Sequence, residues 1–440
     1  MNEYQLIVAG GGMAGVAAAV AAGRHGAKTL LIESSAACGG LGSNGLVPSF
    51  TPFSYKGLDK PVVGGIAAEM LRRLQTIKGS NRAGWPFLDA EAVKFVCDEM
   101  LESAGVEVAY LTNVVDVKAE NHLLQSITVL DRNGLHELSA DNFIDATGDA
   151  FIAYKAGVPF LSGDSKNRTQ PGSSCMVIAG IDAKKLPTTG KVVDGNISLT
   201  LFLRKCISEY LAGGLLENQG NFEYHIAGAN LDIAGGILRI NFGHFYDLGC
   251  CDCGKLSKLL SEGRKYSRKF VECLKNNLPG MENAVLVNTP ALPDIRESRR
   301  IVGRTTLPEQ AYWQGERHAD DIAIYDYMVD VHALEAREQA ASLADDLYER
   351  LIKNSMEKCY GIPFSIMLPE KFDNLAVAGR CVSAEQAMLG SLRVMPACMA
   401  MGQAAGTAAA MSRPLAMVNI KALQKKLRAD SVIMDFAQTQ

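Results

Sequence analysis

The chain has 440 residues, 48% hydrophobic and 21% charged, with a formal net charge of −4. That balance is too apolar for disorder, too acidic for a nucleic-acid partner, and long enough for two structural units. No stretch approaches the roughly 18 uninterrupted apolar residues of a membrane helix.

Near the N-terminus, the apolar run Leu6–Ala9 breaks at once into glycines, without the basic start and longer apolar stretch of a secretory signal. The run leads into Gly10-Gly11-Gly12-Met13-Ala14-Gly15, an alanine-rich stretch to Gly26, and a second apolar run ending at Glu33. Strand, glycines, helix, second strand and terminal acid thus follow in the order of a dinucleotide-binding βαβ unit. Gly10 permits the tight turn, Gly12 lets backbone approach a pyrophosphate, and Gly15 lets the helix pack against the sheet. The helix N-terminus offers N–H groups and a partial positive charge to the phosphates. Glu33 is placed to accept from the hydroxyls of an adenosine ribose, and its charge disfavours a 2′-phosphate.

A second glycine-rich loop follows that acid directly: Ser34-Ser35-Ala36-Ala37-Cys38-Gly39-Gly40-Leu41-Gly42-Ser43-Asn44-Gly45. It resembles the large FAD-binding class that includes the glutathione reductase and fumarate reductase flavoproteins. Two later segments fit the same class: the strand around Val114, and Phe143-Ile144-Asp145-Ala146-Thr147-Gly148-Asp149, similar to its strand-to-loop closure over the nucleotide. Near the end come Gly379-Arg380 after an apolar strand, and Arg393-Val394-Met395-Pro396-Ala397 opening a small-residue helix at Pro396. In the class such a helix aims its N-terminus at the flavin pyrimidine edge.

Together with Phe87–Lys94, Ile295–Gly303 and Asp330-Val331-His332, these segments resemble the FAD-dependent oxidoreductase family, a distant relative of the fumarate reductase and succinate dehydrogenase flavoproteins. The similarity runs nearly end to end and thins between about Ser162 and Leu278. It implies an α/β fold: a Rossmann-like FAD-binding domain of the glutathione reductase type, from residues 1–160 and 355–440, with an inserted α+β substrate or cap domain at 161–354. The insert reads as strand-like over Ile233–Phe245 and helical over Leu256–Asn277 and roughly Val329–Asn354. The resemblance also implies non-covalent FAD, held by Gly10, Gly12, Met13, Ala14, Gly15, Glu33, Ser34, Gly39, Gly40, Leu41, Ser43, Val114, Ala146, Thr147, Gly148, Gly379, Arg380, Met395 and Ala397. The loop after Glu33 has no histidine for covalent attachment.

For chemistry, Arg296, Arg299 and Arg300 form a cluster suited to clamping a carboxylate, and Arg393 adds charge beside the late helix. His332 titrates near neutrality and is placed to move a proton, with Asp330 two residues earlier to orient it. Plainer readings stand beside these: arginine runs usually make ion pairs, and a single histidine is more often structural. No second GxGxxG follows a strand, so an NAD(P)H domain is not expected and a separate electron donor or acceptor is. Cys250-Cys251-Asp252-Cys253 lacks a matching pair at zinc spacing, so no metal is expected.

The expectation is an FAD-dependent dehydrogenase or reductase moving hydride between FAD and a small, anionic organic substrate. The alternatives are a structural FAD-binding protein and a sulfur-handling enzyme resembling thiazole synthase. The 11 scattered cysteines read as reduced thiols of a cytoplasmic protein, and a homo-oligomer is left open.

Overall fold

The computed structural model describes residues 3–50, 52–53, 61–82, 86–188, 190–249, 251–332, 334 and 359–435. The apolar run at the N-terminus forms β1 (Tyr4–Ala9), which has a hydrogen-bonded neighbour on each side. Around it stand β2 (Thr29–Ile32), β3 (Glu107–Ala109) and the end of β6 (Gly134–Asp145), all parallel, in the order β3-β2-β1-β6. A late strand, Leu375–Val377, pairs in parallel with β6. Parallel strands buried on both faces are near-continuously apolar, as Leu6–Ala9 and Leu30–Ile32 are.

The long strand β6 serves two partners. Its first half pairs antiparallel with β5 (Leu123–Asp131), which pairs with β4 (Asn113–Glu120). Its second half, from Ala140 to Asp145, pairs with β1. Ala9 is level with both Ile32 and Asp145, and Asp145 with Val377. The carboxyl ends of four strands therefore finish at one edge, where open α/β sheets bind ligands.

Two helices set the geometry at that edge. Helix α1 (Met13–Arg24) connects β1 to β2, and α6 (Met395–Met411) lies against it. A Cβ on Gly402 would stand 2.0 Å from the Ala14 carbonyl oxygen, and one on Gly406 2.0 Å from that of Ala18. The two backbones thus touch along matching steps of four residues, and the pairing 402 with 14 and 406 with 18 makes the helices parallel. Only glycine allows this approach, which is why the late helix is rich in small residues.

The second core is built on an antiparallel sheet. Its strands are β7 (Met176–Ala179), β8 (Val192–Val193), β9 (Asn196–Ser198), β10 (Phe222–Asp232), β11 (Ile237–Phe245) and β12 (Val285–Asn288), in the order β12-β7-β11-β10-β9-β8. One face carries Phe222, Tyr224, Ile226, Leu238, Ile240 and Phe242, packed with Tyr266, Phe270 and Leu274 of the helix α5 (Cys253–Asn277). Phe222 stacks on Tyr266 with ring centroids 3.8 Å apart, adding to the area term. Three further helices recur below: α2 (Ala90–Ser103), α3 (Phe151–Lys155) and α4 (Thr200–Ala212).

Residues Ile301, Leu307, Ala311 and Ile322–Tyr325 lie in the first core, so the chain has rejoined it by about residue 301. The sequence division assigns these residues to the insert. The expected helix at Val329–Asn354 is absent at Val329–His332, which is irregular, with the His332 N–H donating to the Gln170 side chain; 333 and 335–354 lie outside the described residues. Among the described residues no helix is long and apolar enough to cross a membrane.

The touching helices give the fold's sharpest test. Gly402→Val must push α6 off α1, and overpacking of this kind costs on the order of 3 kcal/mol. We expect a clear fall in Tm by circular dichroism together with loss of bound flavin fluorescence, whereas Met411→Leu at the exposed end of the same helix changes neither. An unchanged Tm in Gly402→Val would contradict the backbone contact.

Candidate functional site

The ligand edge begins at α1. Its N-cap, Gly12, has no side-chain capping bond and there is no acid in the first turn, leaving the first N–H groups without an anionic side chain. A Cβ on Gly12 would meet nothing within 4 Å, so space is open at this helix end. Across it runs the second glycine loop: a Cβ on Gly40 would lie 2.9 Å from the Gly12 Cα, and Gly39 N–H donates to the Gly11 carbonyl at 2.8 Å. Two stretches of bare backbone thus flank an open, uncapped helix end, as a pyrophosphate requires.

Glu33 closes one side. Its carboxylate accepts from Gly11 N–H at 2.6 Å, Ser35 N–H at 2.7 Å and Ser34 Oγ at 3.3 Å. A carboxylate has about four lone-pair sites, so capacity remains for ribose hydroxyls. Ser43 Oγ donates to the Cys38 carbonyl at 2.6 Å and Asn44 Nδ2 to that of Ala37 at 2.8 Å, tying the loop around Leu41. Cys38 is fully buried, and burial pushes its thiol up to about 12, so it packs rather than reacts. Val114 lies half-buried on β4, just beyond Thr112, whose N–H donates to the Glu33 carbonyl at 3.1 Å.

On the other side is the turn after β6. Asp145 is fully buried and accepts from Ala153 N–H at 2.9 Å and from Thr147 Oγ1 at 2.7 Å; burial raises its pKa. It fixes Ala146-Thr147-Gly148 against the start of α3. Arg380, beside Gly379, donates to Asp149 at 2.7 Å and to Ser298 Oγ at 2.7 Å. Burial opposes charge on Asp149, yet Arg380 holds its carboxyl below the usual range. Arg380 is thereby committed to this loop.

Farther along, α6 begins at Met395, one residue before the expected Pro396, with Val394 as an N-cap that gives no side-chain bond. Gly42 lies against both Met13 and Met395, linking the two helix starts, and Ala397 is fully buried in the first turn.

Here the structure brings together three of the four catalytic candidates. Arg393 Nη2 donates to Asp330 Oδ2 at 2.9 Å and to the Asp330 carbonyl at 3.1 Å. His332 Nε2 is 3.4 Å from Asp330 Oδ1, the extended geometry expected of residues two apart, and Tyr327 OH donates to Asp330 at 3.2 Å. Burial works against charge on Asp330, but His332, Arg393 and Arg296 hold its carboxyl far below the usual range. Arg296 is buried, donating to the Pro171 carbonyl at 2.5 Å and to Ser173 Oγ at 2.8 Å. Burial, then Arg296, lowers the pKa of His332 against the pull of Asp330, so the imidazole is neutral at neutral pH.

Arg299 does not join them. Its guanidinium lies 4.1 Å from the Tyr154 ring centroid and 5.5 Å from that of Phe160, with Nη1 donating to the Asp149 carbonyl at 3.1 Å. Arg300 pairs with buried Glu297. Asp252 caps α5, leaving Cys253 exposed at its first turn; Cys250 lies outside the described residues.

Sequence reading missed the opposite wall. The face of the second sheet turned away from α5 carries Glu223, His225, Arg239 and Asn241, and Gly243 (φ +73°) turns His244 onto it. His225 and His244 stack with centroids 4.0 Å apart, and His332 stands edge-on to His244 at 4.9 Å. Three of the chain's 7 histidines thus meet at this point, which makes chance surface placement a poor account. Arg239 docks the wall by donating to Asp89, the N-cap of α2, at 2.6 Å. Gln170, 1% exposed, accepts from His332 N–H at 3.3 Å, while its Nε2 has no hydrogen-bond partner among the described residues. The missed signal was the alternation Phe222-Glu223-Tyr224-His225-Ile226 and Leu238-Arg239-Ile240-Asn241-Phe242, which sets polar residues on one face.

The fold and this edge define a flavin-nucleotide-binding α/β protein. Residues 5–427 match the sequence model of the family described as FAD dependent oxidoreductase, and the chain belongs to that family. It is an FAD-dependent oxidoreductase, and the open cradle at Gly12, the flanking glycine backbone and Glu33 fit its cofactor. No curated protein matches it. Among solved structures it is similar to a flavin-dependent brominase (12% identity, 97% of this chain and 84% of that one, TM-score 0.46). It is also similar to a geranylgeranyl bacteriochlorophyll reductase-like protein of Thermoplasma acidophilum (13%, 98% and 92%, 0.44). A third is aklavinone-11 hydroxylase in ternary complex with FAD and aklavinone (13%, 69% and 56%, 0.40). These likenesses are too loose to say anything of substrate.

The histidine wall predicts a pH effect. His225 is driven well below the usual range by burial, then by His332, Arg204 and Arg296. A histidine neutral in the fold but protonated when unfolded makes stability rise with pH, so stability is lost as pH falls below about 6.5. Between pH 6.5 and 5.5 the lowered carboxylates stay ionised, so they add nothing to the slope in that window. His225→Asn should make the slope shallower by up to about 1.4 kcal/mol per pH unit, read from unfolding at several pH values; identical slopes would contradict it.

Proposed function

We propose that this oxidoreductase transfers hydride between FAD and a small anionic organic substrate held between Arg393, Arg296 and the histidine wall. The observation that carries this reading is the meeting of His332 and Arg393 on one carboxylate, Asp330, beside the uncapped start of α6. FAD, when bound, supplies the two-electron acceptor or donor. The start of α6 favours negative charge nearby by its dipole. Arg393 is aimed by Asp330, and its planar fork suits a carboxylate or similar anion. Gln170 Nε2 offers a further buried donor to the same ligand. Neutral His332 accepts the proton that the substrate releases as hydride departs, or returns it in the reverse direction. The wall of β10 and β11 keeps water from the reacting atoms. Electrons then pass to or from a separate carrier, since no second dinucleotide fingerprint stands in the chain.

A thiol-donor reading is disfavoured by the cysteine nearest this end of α6. Cys398 is buried with Sγ 3.3 Å from the Arg393 carbonyl, and burial pushes it up to about 12. A purely structural flavin role leaves the buried charge cluster without use.

The test is anaerobic mixing of the yellow protein with a panel of small hydroxy and amino acids, followed by flavin bleaching. At least one should bleach it, with the rate falling about 10²-fold or more in His332→Asn and with weaker substrate saturation in Arg393→Gln. No bleaching across the panel, or wild-type rates in both variants, would overturn the proposal.

A further inference from the structure

Behind His332 a line of groups leads away from the site. His244 is fully buried, and its ring is edge-on to His332. On its far side, His244 Nδ1 is 3.5 Å from Tyr246 OH, and Tyr246 OH donates to Glu223 Oε2 at 2.8 Å. Glu223 is the register partner of His244 across the strands and is half-exposed, at the rim of the sheet. The functional reading above uses His244 only as part of the wall and gives no role to Tyr246 or Glu223.

The hydrogen positions follow from simple counting. A tyrosine hydroxyl has one hydrogen, and here it points to Glu223. The contact between His244 and Tyr246 is therefore made by Nδ1–H donating to the phenolic oxygen. That leaves Nε2 of His244 as the nitrogen able to take a proton. Donor and acceptor senses all run one way, from His244 through Tyr246 to Glu223.

We infer that His244, Tyr246 and Glu223 form a proton relay joining His332 to solvent at the sheet rim. This rests on His332 being the group that takes the substrate proton. The steps balance without any redox change. Protonated His332 gives its proton to Nε2 of His244, across a ring rotation or one bridging water. His244 then loses its Nδ1 hydrogen to the Tyr246 oxygen as the Tyr246 hydrogen passes to Glu223. Each transfer breaks one N–H or O–H bond and forms another, and Glu223 releases the proton to water. The reverse sequence recharges His332 when the substrate is to be protonated.

The electrostatics suit such an exit. His332 is faced by Asp330 from its own segment, by Arg393 from the first unit, by Arg296 from the segment after β12, and by His225 and His244 from the sheet. Two nearby guanidinium groups make a lasting charge on His332 unfavourable, so a proton there needs a way out. His225 cannot supply it by the same route: it stacks flat on His244, with the planes 20° apart, so the two rings meet face to face instead of along a hydrogen-bonding edge.

The experiment uses FAD-loaded protein with 15N-labelled histidine, comparing wild type with Tyr246→Phe and Glu223→Gln, and with His332→Asn and His244→Asn to assign the signals. Long-range imidazole spectra give the tautomer of His244 and the rate at which the His332 ring proton exchanges with water. We expect His244 to carry its hydrogen on Nδ1 in wild type and to change tautomer in Tyr246→Phe, with His332 exchange slowed at least tenfold in that variant and in Glu223→Gln. Glu223 lies at the rim, so its variant serves even where Tyr246→Phe unfolds. Unchanged His332 exchange in a folded variant of either residue, or an Nε2-protonated His244 in wild type, would overturn the relay. The readout needs no substrate, so it separates from the functional reading, which fails instead if His332→Asn bleaches at the wild-type rate.

Discussion

The contact of Gly402 and Gly406 with the Ala14 and Ala18 carbonyls is the constraint on which the rest of the arrangement depends. It makes α1 and α6 parallel, so both positive helix ends point toward the same edge of the sheet. Met395 precedes Gly402 by seven residues, and at 1.5 Å per residue α6 begins about 10 Å beyond Ala14. One uncapped N-terminus therefore stands at the glycine cradle and the other farther out, beside Arg393. Two such ends would suit a long anionic nucleotide, with its phosphates at the first and its ring system near the second.

The second sheet completes the arrangement through its two faces. Phe222, Tyr224, Leu238 and Ile240 bury against α5, which frees the other face from any core duty. That face carries Glu223, His225 and His244, and the Arg239–Asp89 pair fastens it to the cap of α2. Charged and imidazole side chains accumulate where the two units meet, and their mutual burial shifts several pKa values together. Asp330 is central to this: it neutralises Arg393, orients His332 and receives the Tyr327 hydroxyl.

Much of the first unit was legible in the sequence because its constraints are local. Gly10 needs a positive φ, the strands are apolar because both faces are covered, and Glu33 follows the second strand by chain order alone. The small residues of α6 pointed to close packing, although not to α1 as its neighbour. The pairing of Asp330 with His332 followed from the two-residue repeat of extended chain. What escaped was set by tertiary contact. Arg296 and Arg299 are three residues apart, yet one is buried against Pro171 and Ser173 while the other stacks on Tyr154. His225 and His244 are far apart in sequence and meet only through strand pairing and the turn at Gly243. Ile301–Tyr325 reads as part of an insert by position, whereas its apolar side chains return to the first core.

The central claim is that the reacting ring of FAD sits between the start of α6 and the wall of His225, His244 and His332. A crystal structure of the FAD-loaded protein tests it most directly. The account predicts pyrophosphate density at Gly12 and Gly40, and ring density between Met395–Ala397 and His332 with its edge facing Arg393. Density for the ring elsewhere, with the histidine wall facing only protein or bulk water, would contradict it.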